Sequence, residues 1–165
     1  MSNKSVRILV LETLGPLKQS LRKVTLRFLG YKNIHSDVVL ERNLNLDRVY
    51  PNGITIRSGC LIASGVTILC HEHVYRDPYD SDLPLIKPVE IGERTFVGVG
   101  VTILPGVTIG CDCIIGAASV VSKDIPSGSL AVGVPARVIR SGLKMNEKAI
   151  LVSANVVNSF DGKKL

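Results

Sequence analysis

The stretch IGERTFVGVGVTILPGVTIGCDCIIGAASVV, residues 91–121, carries an isoleucine or valine at every sixth position. The repeating positions are Ile91, Val97, Ile103, Ile109, Ile115 and Val121. An α-helix repeats every 3.6 residues and a flat strand every two, so neither produces this spacing. A six-residue period is typical of a parallel β-solenoid, in which the chain turns a corner after each short strand. The sequence therefore predicts an all-β solenoid filled by a ladder of aliphatic side chains.

The residues around the ladder agree with this prediction. Gly92, Gly98 and Gly116 directly follow aliphatic positions, where a tight corner favours a residue without a side chain. A second set of residues with the same period lies upstream, at Val38, Leu44, Tyr50, Ile56, Ile62 and Ile68. We expect both sets to point into the same core.

The two ladders are out of register with each other. Ile68 and Ile91 are 23 residues apart, which is not a multiple of six. The segment between them, residues 70–88, is rich in prolines and acids and cannot continue a series of short strands. We expect it to leave the solenoid as an extruded loop, which is the usual place for function in a repeat protein.

Length and composition are consistent with a single domain. The chain has 165 residues, no Trp and only 4% aromatic residues, which suits a core of stacked aliphatic side chains. We expect a basic, helical cap over residues 1–33, the solenoid over residues 34–140 and a tail over residues 141–165. Within the tail, the stretch 149–157 fits either a strand or a helix.

The charge distribution bears on possible partners. The net charge is +6, and the excess of cations lies near the start of the chain, which leaves the solenoid close to neutral and argues against nucleic acid as its ligand. The segment Pro16–Leu29 mixes cations with Leu and Phe, and it predicts a capping helix with a solvated basic face. The alternative is a peripheral contact of this basic N-terminus with an anionic membrane.

Two observations concern the cellular location. The longest apolar stretches, Val6–Leu14 and Ala149–Val157, are much shorter than the roughly 18 residues of a membrane span. The run Ile8–Leu11 is too short for the apolar region of a signal peptide. We therefore expect a cytoplasmic protein.

Two of the three histidines, His71 and His73, lie in the predicted loop. An imidazole titrates near neutral pH and is suited to proton transfer. Residues two apart in an extended chain point the same way, so the pair could also bind a metal, but a third ligand would have to come from a distant part of the chain. We expect no metal site.

Cys70 could accept an acyl group, although a buried structural thiol is the commoner case.

Several motifs together resemble one known family. They are the hexapeptide ladder, the loop with its histidines, and the runs ILPGVTIG (103–110), IGAASVVSKD (115–124) and AVGVPARVIR (131–140). Over residues 38–140 the chain resembles the hexapeptide-repeat acyltransferases, particularly the maltose/galactoside and polysaccharide O-acetyltransferase branch. The resemblance implies a left-handed parallel β-helix with three hexapeptides per coil. It also implies a homotrimer that binds acetyl-CoA between subunits and acetylates a hydroxyl of a sugar or of a polysaccharide or lipopolysaccharide precursor.

The resemblance also implies roles for individual residues in the reaction. In this family the base is a loop histidine that is followed shortly by an acid, and the run HVYRDP at residues 73–78 has this form. His73 is therefore expected to be the general base, His71 is the second candidate, and Asp77 is the acid that orients the imidazole.

The binding residues follow from the same resemblance. It places coenzyme A near Val99, Ala117, Ser122, Lys123 and Arg140. The two cations among them could neutralise phosphate charge. Asn43 corresponds to a family asparagine near the acceptor.

Three other functions remain open from the sequence. The first is an N-acetyltransferase that acts on an amino sugar or a nucleotide sugar. The second is a trimeric zinc hydratase of the γ-carbonic-anhydrase kind, which needs three histidines spread over neighbouring coils, whereas two of those present here share one loop. The third is a non-catalytic scaffold, against which the intact loop and the segment Ser122-Lys123-Asp124 argue.

Overall fold

The computed structural model describes residues 17, 19–76 and 83–158. Between residues 39 and 133, apart from a hairpin at residues 71–86, the chain forms short strands that lie in three parallel sheets. The chain visits the three sheets in strict rotation, so each sheet is one face of a three-sided prism and each circuit is one coil. The predicted solenoid is therefore present as a three-sided parallel β-helix.

The strands of each face are hydrogen-bonded to their counterparts in the next coil. The first face contains Val39–Leu40 (β1), Leu61–Ile62 (β4), Phe96–Val97 (β9), Ile114–Ile115 (β12) and Leu130–Gly133 (β14). The second face contains Asn45–Leu46 (β2), Thr67–Ile68 (β5), Thr102–Ile103 (β10) and Val120–Val121 (β13). The third face contains Ile54–Ile56 (β3), Val89–Ile91 (β8) and Thr108–Ile109 (β11).

The six-residue ladder of residues 91–121 forms the core. Every one of its six aliphatic side chains is fully buried. Successive coils bring equal positions together, as in the pairing of Ile68 with Ile103 and of Ile103 with Val121. Burying an aliphatic side chain of this size contributes about 1.5–3 kcal/mol, so the repeated ladder is the main source of stability.

Corner glycines allow the coils to stack closely. A Cβ atom on Gly92 would lie 2.6 Å from the backbone nitrogen of Cys111, and one on Gly98 would lie 2.7 Å from that of Ala117. Both partners belong to the next coil. The absence of a side chain at these positions is therefore required by the spacing of the coils.

The predicted upstream ladder is out of register at its first three positions, and of these only Tyr50 does not lie in or against the core. Leu40 and Leu46 are the residues that pair with Ile62 and Ile68, and they are buried. Tyr50, which the six-residue count places in the core, is 39% exposed.

An insertion explains this difference. Leu46 and the next ladder residue, Ile56, are ten residues apart, because residues 47–53 replace an ordinary corner and include a short 3₁₀ turn at Pro51–Gly53. Val38 and Leu44 consequently take the second inward position, two residues before the ladder position.

A helix at residues 19–28 (α1) covers the start of the solenoid. The Gln19 side-chain amide donates to the carbonyl oxygen of Leu40 at 2.8 Å, Lys23 donates to that of Ser36 at 2.5 Å, and Arg22 donates to those of Leu40 and Glu41. The helix predicted for this segment is present, but the expected solvated basic face is wrong for Arg22 and Lys23. Their cationic groups instead satisfy carbonyl groups of the first coil.

The remaining predicted cap, residues 1–16, lies outside the described residues. No helix among the described residues combines the length and the apolar character that crossing a membrane requires.

Beyond the last parallel strand the chain forms an antiparallel extension. The strands Ala136–Met145 (β15) and Leu151–Asn158 (β16) extend the first face next to β14. The predicted boundary after residue 140 falls inside β15, so the start of the predicted tail continues a strand of the first face. The stretch that fitted either a strand or a helix belongs mainly to β16.

Candidate active site

The regularity of the β-helix fails at one of its three edges. Between the first and second faces, and between the third and first, each corner has four residues. Between the second and third faces, the first two corners are residues 47–53 and 69–88. We call these two segments the broken edge. Since β2 and β5 are adjacent parallel strands, with Leu46 beside Ile68, the two insertions leave the prism one above the other.

The longer insertion forms an antiparallel hairpin. Its strands are His71–Arg76 (β6) and Pro84–Ile86 (β7), and they pair with each other in a separate two-stranded sheet. His71, the first residue of the hairpin, lies opposite Ile86. It therefore stays close to the prism.

Asp47, at the start of the shorter insertion, is the central group of the site. Its side chain is completely buried. One carboxylate oxygen accepts hydrogen bonds from the backbone N–H groups of Val49 at 2.9 Å and Tyr50 at 3.0 Å. The other accepts from the backbone N–H of Cys70 at 2.6 Å and contacts Nδ1 of His71 at 2.5 Å. A buried carboxylate needs this many donors, because an unpaired charge away from water is very costly.

These contacts keep Asp47 ionised. Burial by itself raises the pKa of the carboxyl group, but the hydrogen bonds from Tyr50, Cys70 and His71 outweigh it, and the pKa lies below its ordinary value. A carboxylate can only accept a hydrogen bond, so Nδ1 of His71 carries the proton. When the imidazole is neutral, Nε2 of His71 carries no proton and can accept a hydrogen bond.

His73 completes the cluster. Its ring lies edge-on to that of His71, with 4.9 Å between the ring centroids and an angle of 88° between the planes. His73 is exposed, whereas His71 is largely buried. The structure thus brings the two predicted histidines together. Asp77, the predicted orienting acid, lies outside the described residues.

Cys70 has a structural environment. It is fully buried, and burial raises the pKa of its thiol to about 11. The reactive thiolate is therefore disfavoured at neutral pH, which argues against acyl transfer through this residue. Among the described residues, no three His, Cys, Asp or Glu side chains are grouped as in a metal site.

The residues predicted to bind coenzyme A occupy two edges of the second face. Val99 and Ala117 stack on the edge between the first and second faces, where the N–H of Ala118 donates to the carbonyl oxygen of Val99 at 2.8 Å. Ser122 and Lys123 lie exposed between the second and third faces, two coils beyond the hairpin. The two pairs therefore flank the same face.

Arg140 and Asn43 are separate from the histidine cluster. Arg140 is half-buried on β15, in the antiparallel extension. Asn43 is exposed at the corner between β1 and β2, on the opposite edge of the second face from His71. The described chain does not bring either residue next to the histidines.

Asp47 is the site residue that the sequence reasoning missed. A signal was present, because the core aliphatics Leu46 and Ile56 are ten residues apart and an Asp follows the first of them directly. A count of six residues along the upstream ladder runs through the insertion and therefore does not reveal it.

A parallel β-helix with a histidine-bearing hairpin at one edge defines a hexapeptide-repeat protein. Residues 88–123 match the family described as bacterial transferase hexapeptide (six repeats), and residues 48–70 match the hexapeptide repeat of succinyl-transferase. These segments contain most of the regular coils and lie on both sides of the hairpin.

Individual relatives agree with this class. The chain is 41% identical over 109 residues to a galactoside O-acetyltransferase of Escherichia coli (strain K12), covering 66% of this chain and 54% of that protein. It is 38% identical over 112 residues to a galactoside O-acetyltransferase of Lactococcus lactis subsp. lactis (strain IL1403), covering 67% and 54%. The crystal structure of a maltose O-acetyltransferase from Clostridium difficile 630 superposes with a TM-score of 0.56 at 29% identity, covering 81% of this chain and 88% of that one.

The chain carries hexapeptide repeats and is similar to hexapeptide-repeat acetyltransferases. It spans about half the length of the curated relatives that it matches.

Proposed function

We propose that the protein is an acetyl-CoA-dependent O-acetyltransferase that acts as a homotrimer on a hydroxyl of a sugar or of a polysaccharide or lipopolysaccharide precursor. The observation that carries the proposal is the buried Asp47 carboxylate, which holds His71 beside the exposed His73 on the broken edge. The hexapeptide repeats and the likeness to galactoside and maltose O-acetyltransferases support the reaction class.

The energetics of Asp47 favour a functional role. A buried carboxylate costs desolvation energy, and an apolar residue at this position could pack without that cost. What the carboxylate adds is a fixed proton position on the imidazole of His71. Orientation of an imidazole by a buried carboxylate is a familiar arrangement in proton-transfer sites.

In the proposed reaction His73 is the general base. The hydroxyl oxygen of the sugar attacks the carbonyl carbon of the acetyl thioester, so that a C–O bond forms and the C–S bond breaks. His73 takes the hydroxyl proton and passes it to the departing sulfur of coenzyme A, so protons and charge balance. His71, held by Asp47, positions the ring of His73. General-base catalysis of this kind contributes roughly 10²–10⁴-fold to the rate.

The positions proposed for coenzyme A favour a site between subunits. Val99 and Ala117 lie on one edge of the second face, and Ser122 and Lys123 lie on the other. A single coenzyme A groove can include both pairs only if the β-helix of a neighbouring subunit packs against this sheet and forms the other wall of the groove. Lys123 and Arg140 supply positive charge for phosphate groups. In keeping with its relatives, we infer a left-handed coil and three subunits per molecule.

A thiol-release assay with acetyl-CoA tests the proposal. The acceptor panel should contain galactosides, maltose, polysaccharide fragments and an amino sugar. We expect release that depends on a hydroxyl acceptor, and light scattering should give about three times the chain mass of 17.8 kDa. Absence of release with every acceptor would refute the enzymatic function, and release with the amino sugar alone would identify an N-acetyltransferase.

Substitution of the histidines tests the assignment of the base. His73→Ala should lower turnover at least about a hundredfold and leave coenzyme A binding in calorimetry unchanged. His35→Ala is the matched control, since His35 is exposed and also pairs with an Asp, and it should leave turnover unchanged. Near-normal turnover of His73→Ala together with an inactive His71→Ala would transfer the role of base to His71.

A further inference from the structure

Helix α1 has two faces of different character. Its inner face contains Gln19, Arg22 and Lys23, which bind carbonyl oxygens of residues 36–41, and Leu26, which packs against the core. The cations of the inner face are therefore engaged by the protein itself.

The outer face is apolar. Leu17, Leu21, Val24 and Phe28 recur at the spacing of one helix face, and at about 100° per residue they fall within an arc of roughly 60°. All four are between 56% and 93% exposed, and Phe28 is the most exposed of them. We call these four residues the outer stripe. More than half of each of these four residues is therefore open to solvent.

The surroundings of the outer stripe are positively charged. The chain has no Asp or Glu between Glu12 and Asp37, and this interval contains five cations, at positions 18, 22, 23, 27 and 32. Arg27 and Lys32, both exposed, line a recess at the end of the helix that bears Phe28. Arg57 also lines this recess, where its guanidinium is paired with Glu90. The apolar stripe is thus bordered by cations that face solvent.

We propose that the outer stripe docks on an anionic phospholipid surface, with Leu21 and Phe28 entering the interface and Arg27 and Lys32 contacting headgroup phosphates. An apolar stripe beside Lys and Arg is the pattern of helices that lie in a membrane interface. Protein interfaces, by contrast, are depleted in Lys, and the sequence has no acid between Glu12 and Asp37 that could match these cations. The proposal goes beyond the acetyl-transfer reaction and does not depend on it.

Vesicle sedimentation of the full-length chain tests this contact. The protein is mixed with vesicles of pure phosphatidylcholine or of phosphatidylcholine with one third phosphatidylglycerol. We expect binding to the anionic vesicles only, and weaker binding at higher salt. The double variant Leu21→Ser/Phe28→Ser and the double variant Arg27→Glu/Lys32→Glu should each reduce the bound fraction at least about tenfold. Val152→Ser, at an exposed position on β16, is the control and should bind like the wild type.

Each other outcome would overturn the proposal. Failure of the wild type to sediment with anionic vesicles would do so, and so would equal binding of all variants. A change in mass by light scattering in Leu21→Ser/Phe28→Ser would show that the outer stripe contacts another protein chain. Unfolding of Leu21→Ser/Phe28→Ser would show that the outer stripe is covered by another part of the protein's own chain. Arg27→Glu/Lys32→Glu, altered only at exposed side chains, still measures the charge dependence.

Discussion

The protein contains two His–Asp pairs with nearly the same geometry, and they lie on different edges of the β-helix. His35 and Asp37 are 2.6 Å apart and about half exposed, and Asp37 also accepts hydrogen bonds from Ser58 and Gly59 of a regular four-residue corner. His71 and Asp47 are 2.5 Å apart on the broken edge, where the His side chain is 17% exposed and the Asp side chain not at all.

The difference shows what an interrupted repeat makes possible. At a regular corner four residues suffice to turn the chain, and a charged side chain there remains at the surface. The insertions at the broken edge surround Asp47 with backbone N–H groups from both segments. Only there can a carboxylate be buried and still satisfied. The same pair of residue types is therefore a surface ion pair in one place and an oriented imidazole in the other.

The largest expected difference between the two pairs concerns stability. Asp47→Ala removes the acceptor of three backbone N–H groups, one of them on the buried Cys70, and should lower the free energy of unfolding by about 2–4 kcal/mol. Asp37→Ala should cost about 1 kcal/mol or less, because water can replace the lost contacts. Urea denaturation of both variants measures the contrast, and equal losses would remove the distinction between the edges.

A smaller but more specific difference is expected in turnover. Asp47→Asn can accept hydrogen bonds on one side only, so the proton position on His71 is no longer fixed, and kcat should fall at least about tenfold with little change in KM for acetyl-CoA.

Asp37→Asn is the matched variant for this measurement. It should retain kcat within about twofold, since no residue of the proposed site contacts Asp37. A loss of activity in Asp47→Asn that only matches its loss of folded protein would mean that Asp47 has a structural role alone.

The smallest expected effect is on acid stability. Slight burial raises the pKa of Asp37, but hydrogen bonds from Ser58, His35 and the N–H of Gly59 lower it from 3.8 to about 2. A lowered pKa in the folded state means that the contribution is present above about pH 4 and disappears as the pH falls towards 2. Because the side chain is half exposed, solvent screening limits this contribution to about 1 kcal/mol.

Thermal unfolding as a function of pH measures that contribution. The difference between wild type and Asp37→Asn should be largest near neutral pH and should vanish near pH 2. A difference that grows on acidification would contradict the assignment of a lowered pKa to Asp37.

Much of the fold could be predicted because the ladder is a local property. From Ile91 to Val121 every sixth residue points inward, and this follows from one strand and one four-residue corner per face. The break between Ile68 and Ile91 was likewise visible, and it located both histidines. Tyr50 shows the limit of such counting, because a count of six continues through an insertion that only pairing between coils can detect.

Helix α1 shows a second limit of the same kind. Its sequence predicts a helix with cations and apolar residues, but not which side faces the protein. The carbonyl groups of residues 36–41 decide this, because they attract Gln19, Arg22 and Lys23 and turn the outer stripe towards solvent.

The sequence by itself determined the six-residue coil, the aliphatic core and the extruded segment that carries His71 and His73, because each of these is encoded in the spacing of neighbouring residues. Only the tertiary structure decided that Asp47, 24 residues before His71, holds that imidazole. The physical reason is the stacking of β2 on β5, which places the ends of two distant segments at one edge. A contact of this kind depends on the register between coils and not on any local period.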